Sequence, residues 1–114
     1  MINCAIIGFG KMGRIRAKAI EETKRGRVVA VYEPTDCDLG GYERASTVEE
    51  IFANPGIDAV FICTPNHLIP PHCIAGLQAR KHVFSEKPPG FNAADVVRVI
   101  SAEKNSFDRK LMYG

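Results

Sequence analysis

The stretch Ile6–Ile15, IIGFGKMGRI, places Gly8, Gly10 and Gly13 where an apolar run ends and a charged, periodic run begins. The residues before it, INCAIIG, are short, apolar and closed by glycine, the pattern of a strand buried on both faces. After it, from Lys11 to about Lys24, the apolar positions Met12, Ile15 and Ala19 recur at helical spacing between charges. This predicts a helix with those three residues as its apolar stripe. A strand, a glycine turn and a helix make either a tight corner or a cradle for a pyrophosphate. In a cradle Gly8 permits the turn, Gly10 lets the backbone approach the anion, and Gly13 lets the helix pack near the sheet. Phe9, Lys11 and Met12 complete that turn, and the N–H groups around Lys11 and Met12 face the anion.

The residues beyond the turn decide between the two. RVVAVYE is a second buried strand rich in β-branched residues, and it ends at Glu33, roughly 20 residues past the last glycine. A carboxylate at that point accepts hydrogen bonds from both hydroxyls of an adenosine ribose and repels a 2′-phosphate. No arginine follows Glu33 closely in sequence to favour that phosphate. Turn, helix and acid together predict a dinucleotide site that takes NAD in preference to NADP.

The rest of the chain alternates in the same way. PTDCDLGGYERA reads as loop, with a short strand possible around Glu43 to Ala45. Ser46 and Thr47 stand three residues ahead of Glu49 and Glu50, a capping-box pattern for a short helix closed by NPG. DAVFICT is a third strand, PPHCIAGLQAR a helix with Cys73, Ile74 and Leu77 on one side, and KHVFSEK a fourth strand. Asn92 caps a helix to about Lys104 with Ala93, Val96, Val97 and Ile100 facing inward, and RKLMYG opens a fifth strand. Strands alternating with helices predict an α/β fold, a doubly wound parallel sheet of Rossmann type with helices on both faces.

Composition agrees with one domain over 1–114: 46% hydrophobic and 25% charged residues, with a net charge of +2. That balance points to neither a nucleic acid nor a membrane partner. The basic residues Lys11, Arg14, Arg16, Lys18, Lys24, Arg25 and Arg27 read mostly as a solvated helix face. No signal-peptide pattern and no run of transmembrane length is present. Cys4, Cys37, Cys63 and Cys73 form no CxxC pair, so a reduced, cytoplasmic protein is expected. Cys63, His67, His72 and Cys73 could be drawn as a zinc set. However, Cys63 ends a strand, Cys73 lies on the apolar face of a helix, and the intervening turn is proline-rich, so no metal site is expected. His72 and His82 read as structural or solvated.

At FICTPNH and HVFSEKPPG the chain resembles the glucose–fructose oxidoreductase/inositol dehydrogenase/MocA family. GFGKMG, VYE, CTPNH and EKP follow in order over essentially all 114 residues. The resemblance implies an NAD-dependent oxidoreductase acting on a sugar, cyclitol or nucleotide-linked sugar hydroxyl. Thr64, Pro65 and Asn66 would line the cofactor, with His67 the only imidazole of that loop. Glu86 and Lys87 would reach the nicotinamide ribose, and Lys87 would also touch the substrate hydroxyl. Alcohol oxidation loses a proton as hydride leaves, and a lysine ammonium can relay that proton or stabilise the alkoxide. Ile69 stands where the family often has a second histidine. The family's second domain, which carries the substrate pocket, a catalytic histidine and aspartate, and the oligomer interface, is absent from the 114 residues, so a fragment is expected. Leu68, Ile69 and Phe91 would then face water and favour self-association. A non-catalytic NAD-binding sensor or partner-binding module is the alternative.

Overall fold

The computed structural model describes residues 1–64, 68–86, 93–104, 109 and 111–113, with backbone alone for residues 93–96 and 113. Its elements run β1 (Ile2–Ile7), α1 (Lys11–Thr23), β2 (Gly26–Tyr32), α2 (Val48–Ala53), β3 (Ala59–Ile62), α3 (Ile69–Gln78), β4 (His82–Ser85), α4 (Ala93–Lys104) and β5 (Leu111–Tyr113). The five strands pair in parallel in the order β2-β1-β3-β4-β5. Because β2 lies on one side of β1 and β3 on the other, the direction in which successive strands are added switches between β1 and β3. Open α/β sheets bind ligands at that point, beyond the carboxyl ends of the strands.

Alternate residues of the central strands feed two cores. Ala5, Ile7, Val60, Ile62 and Val83 pack with Ile51 of α2, Ile69, Cys73 and Leu77 of α3, and Val99 and Ala102 of α4. Cys4, Ile6, Val28 and Val31 pack with Ala17 and Ile20 of α1 and with Leu39. Helices therefore cover both faces, as the alternation predicts. A bulge in β2, where Val28 pairs with Cys4 and Ala30 with Ala5, lets both Val28 and Val31 face the α1 side. Of the two possible capping pairs it is Thr47 and Glu50 that close the box on α2. The short strand suspected near Glu43 is a single parallel bridge between Val31 and Arg44.

Three expectations about burial are corrected. Helix α1 buries Gly13, Ala17 and Ile20, while Met12 and Ile15 remain 37% and 45% exposed. Small side chains allow α1 to lie close to the sheet, so size outweighs hydrophobicity in choosing its inner face. Helix α4 buries Val99 and Ala102, and Val97 and Ile100 are 60% and 44% exposed. Helix α3 begins at Ile69 rather than at the prolines. Pro70 falls in its first turn, where no N–H is required, and Ile69 is wholly buried against the sheet instead of facing water. Leu68 is exposed as expected; Phe91 and Asn92 lie outside the described residues. Among the described residues no helix is long and apolar enough to cross a membrane.

Lys81 is the charged residue within this interior, 3% exposed. Its Nζ donates to the carbonyls of Asn54 at 2.7 Å and Ile57 at 2.8 Å, tying the end of α2 to the start of β4. Replacing Lys81 with Met preserves the aliphatic stem and removes both bonds; the Asn54 carbonyl keeps the Ile57 N–H at 3.2 Å, while the buried Ile57 carbonyl loses its Lys81 donor. The expected loss is about 1–3 kcal/mol of folding stability, read from urea denaturation midpoints.

Candidate cofactor site

The glycine turn is built by steric exclusion. Gly8 has φ +95°, and a β-carbon there would lie 2.6 Å from the Cys63 carbonyl oxygen. A β-carbon on Gly13 would lie 2.1 Å from the Gly8 carbonyl oxygen. Only glycine lets β1 turn this tightly beside the end of β3 and start α1 against its own turn. At Gly10 a β-carbon would meet nothing within 4 Å, so the backbone here is bare toward the open cleft. Gly10 is also the N-cap of α1 and provides no side-chain cap. The first amides of the helix, at Lys11, Met12 and Gly13, thus have no side-chain acceptor of their own, the arrangement that suits an anion.

Glu33, just past β2, is bound to that turn. Its Oε1 accepts from the Phe9 N–H at 2.7 Å and its Oε2 from the Thr35 N–H at 2.9 Å. Burial raises the Glu33 pKa, but the amides of Thr35 and Phe9 and the charge of Arg44 outweigh it, leaving the carboxyl below its ordinary value. Phe9 is buried beneath the turn, edge-on to Tyr42 at 6.1 Å.

The fold corrects two readings of the basic residues. Arg44, eleven residues beyond Glu33 in sequence, donates to the Glu33 and Cys37 carbonyls, so an arginine does stand beside the acid in space. Arg14 lies 4.6 Å from the centre of the Phe9 ring and donates to the Asp38 carbonyl at 2.6 Å. Together they fold the loop after β2 over the start of α1. Arg16 is likewise no mere solvated charge: it pairs with Glu86, at the end of β4, at 2.6 Å.

A cavity of about 520 Å³ opens above the turn, lined in part by Gly8, Gly10, Glu33, Thr35, Thr64 and His72. Three sequence-predicted elements meet in it: the glycines, the acid and the threonine that follows β3. The Thr64 hydroxyl and His72 Nδ1 are buried without a hydrogen-bond partner. Burial lowers the His72 pKa against the pull of Glu49, favouring a neutral imidazole. Nothing local in the sequence marks His72, which reaches the cleft only because α3 packs beside β3. Pro65, Asn66, His67 and Lys87 lie outside the described residues. A second hollow of about 600 Å³ lies beyond β2 around Val29, Arg44 and Asn54, and none of the predicted site residues lines it.

Cys63, beside the turn, is pushed up to about 12 by burial and by Glu86, with Arg16 opposing. Burial likewise holds Cys4 and Cys73 at about 11. These thiols are protonated and act as apolar side chains. Cys63 and Cys73 pack into different cores. Among the described residues no group of three or more His, Cys, Asp and Glu side chains converges as metal ligands would.

A sheet that reverses at β1 and β3, with a bare glycine turn at that point, defines a dinucleotide-binding Rossmann domain. The model of the Gfo/Idh/MocA oxidoreductase family, NAD-binding Rossmann fold, matches residues 2–114, and the chain belongs to that family. The myo-inositol 2-dehydrogenase of Thermotoga maritima is 31% identical over 108 residues, covering 89% of this chain and 32% of its own length. Apo scyllo-inositol dehydrogenase of Lactobacillus casei superposes with TM-score 0.90 at 26% identity, over all of this chain and 36% of that one. A biliverdin reductase of Synechocystis sp. PCC 6803, solved with biliverdin and NADP+, shares the fold with TM-score 0.91 at 24% identity, over 98% of this chain and 37% of that one. The chain thus spans about a third of the length of these relatives.

Glu33 gives the site a pH signature. Its folded pKa lies below the ordinary 4.5, so the unfolded chain binds the proton first as pH falls. The stabilisation it contributes is complete above the ordinary carboxyl range and is lost as pH falls through the lowered value. Glu33→Gln should flatten that part of the acid limb of a stability-against-pH profile, measured by urea denaturation at a series of pH values.

Proposed function

We propose that this chain is the cofactor-binding domain of an NAD-dependent oxidoreductase whose substrate is a sugar, cyclitol or nucleotide-linked sugar hydroxyl. The observation that carries it is the Glu33 carboxylate fixed to the Phe9 amide beside a bare glycine turn. Kinship with inositol dehydrogenases supports the substrate class. The turn around Gly8, Gly10 and Gly13, with the amides of Lys11 and Met12, would hold the pyrophosphate. Glu33 accepts one amide on each oxygen, with the Thr35 hydroxyl as a further donor, and its remaining acceptor sites would take the ribose hydroxyls. Its charge opposes a 2′-phosphate, while Arg14 and Arg44 are committed to backbone carbonyls of the same loop. NAD is therefore favoured over NADP.

The unpartnered Thr64 hydroxyl is suited to the far half of the cofactor, which Pro65, Asn66, His67, Glu86 and Lys87 would complete. When bound, the nicotinamide supplies the hydride acceptor. The Lys87 ammonium would relay the hydroxyl proton or offset the charge developing on the substrate oxygen. A further domain, which the greater length of the relatives supports, would bring the substrate pocket and join subunits into an oligomer. Protonated cysteines without disulfides suit a reducing cytoplasm.

Calorimetric titration of the chain should give tighter binding of NAD than of NADP, and Glu33→Arg should invert the order at low salt. Equal affinities in the unaltered chain would remove the assignment of Glu33. In a complete enzyme, Lys87→Ala should lower kcat on the order of 10²- to 10⁴-fold with much less effect on NAD affinity. Normal turnover by that variant would take Lys87 out of the chemistry.

A further inference from the structure

Arg16 and Glu86 stand 70 residues apart in sequence and meet as a two-pronged pair. Arg16 Nε donates to Oε2 at 2.6 Å and Nη2 to Oε1 at 3.2 Å. The same guanidinium lies 4.7 Å from the centre of the Phe84 ring, and Phe84 stacks on Phe61 of β3 at 5.1 Å. The two charged side chains are 26% and 14% exposed, so the pair is largely withdrawn from water. The Glu86 amide also donates to the Ile62 carbonyl at 3.0 Å. Glu86 is thereby held at both ends, its backbone by β3 and its carboxylate by α1.

The sheet order gives this arrangement its meaning. Glu33 follows β2, Glu86 follows β4, and β1 and β3 lie between them. With the adenosine ribose at Glu33 and the pyrophosphate at the glycine turn, the second ribose extends toward β4. A bare, part-buried carboxylate there would repel the pyrophosphate and pay for its own desolvation. Arg16 occupies one acceptor site on each oxygen and cancels the charge, leaving the other sites open.

We propose that Arg16 is a positioning residue for the nicotinamide half of the cofactor, acting through Glu86, which it neutralises and orients to accept the ribose hydroxyls. The proposal rests on the cofactor assignment above and adds a residue to it. A lysine would restore the charge but not the planar fork, so Arg16→Lys should only partly substitute.

The test compares NAD with ADP, which lacks the second ribose, by calorimetry on the 114-residue chain. Arg16→Ala should weaken NAD on the order of tenfold while ADP affinity stays as in the unaltered chain. Adding Glu86→Gln to Arg16→Ala should recover part of the loss, because the unpaired charge is gone. Parallel losses for NAD and ADP would mean that the pair only supports the fold, and would overturn the proposal. So would an unchanged NAD affinity in Arg16→Ala while Glu33→Ala weakens both ligands, an outcome that leaves the cofactor assignment standing. Failure of the unaltered chain to bind either ligand would overturn both. Should Arg16→Ala lose its circular-dichroism spectrum, the NAD-to-ADP affinity ratio of Arg16→Lys decides: a lowered ratio supports the proposal and an unchanged one overturns it.

Discussion

Two positions near the start of the chain leave no room for a β-carbon, and the cleft depends on both. Gly8 lies against the Cys63 carbonyl and Gly13 against the carbonyl of Gly8 itself. The first contact joins the end of β1 to the end of β3, across the line where the sheet reverses. The second draws α1 down onto its own turn, so the helix packs through Gly13, Ala17 and Ile20 and starts at Gly10 without a side-chain cap. A side chain at either position would push the turn away from β3 or lift the helix from the sheet. The close packing of turn, sheet and helix would be lost in either case.

Around that steric core the site is organised by charge. Glu33 binds the turn to the end of β2 through the Phe9 amide. Arg14 and Arg44 fold the following loop over α1 through the carbonyls of Glu33, Cys37 and Asp38. Arg16 joins α1 to Glu86 at the end of β4. Helix α1 is thus tied by its arginines to the loop after β2 and to the end of β4. The nearby thiols, raised by burial, take no part in this electrostatics.

Strands rich in β-branched residues, a glycine turn and a capping box are local signals, and each element they marked is present. The faces of the helices were harder to read. Met12, Ile15 and Ala19 form the more obvious stripe on α1, yet Gly13, Ala17 and Ile20, two of them small, face the sheet. The close approach imposed at Gly8 and Gly13 favours small residues over larger apolar ones. On α4, too, the inner face differs from the expected one: Val99 and Ala102 turn inward in place of Val97 and Ile100. Ile69 was expected to face water together with Leu68 and Phe91 as surface that a further domain would cover, but α3 starts one residue earlier than its prolines and buries it.

By itself, the sequence determined the alternation of strand and helix, the turn that only glycine can make, and the acid at the end of the second strand. These depend on backbone conformation and on distances of a few residues, which residue types encode directly. The tertiary structure decided which polar groups meet, Arg44 with the Glu33 carbonyl and Arg16 with Glu86, and that His72 lines the cleft. Those partners are brought together by sheet order and helix packing. Coulomb attraction and hydrogen bonding depend on separation in space, and separation along the chain does not reveal it.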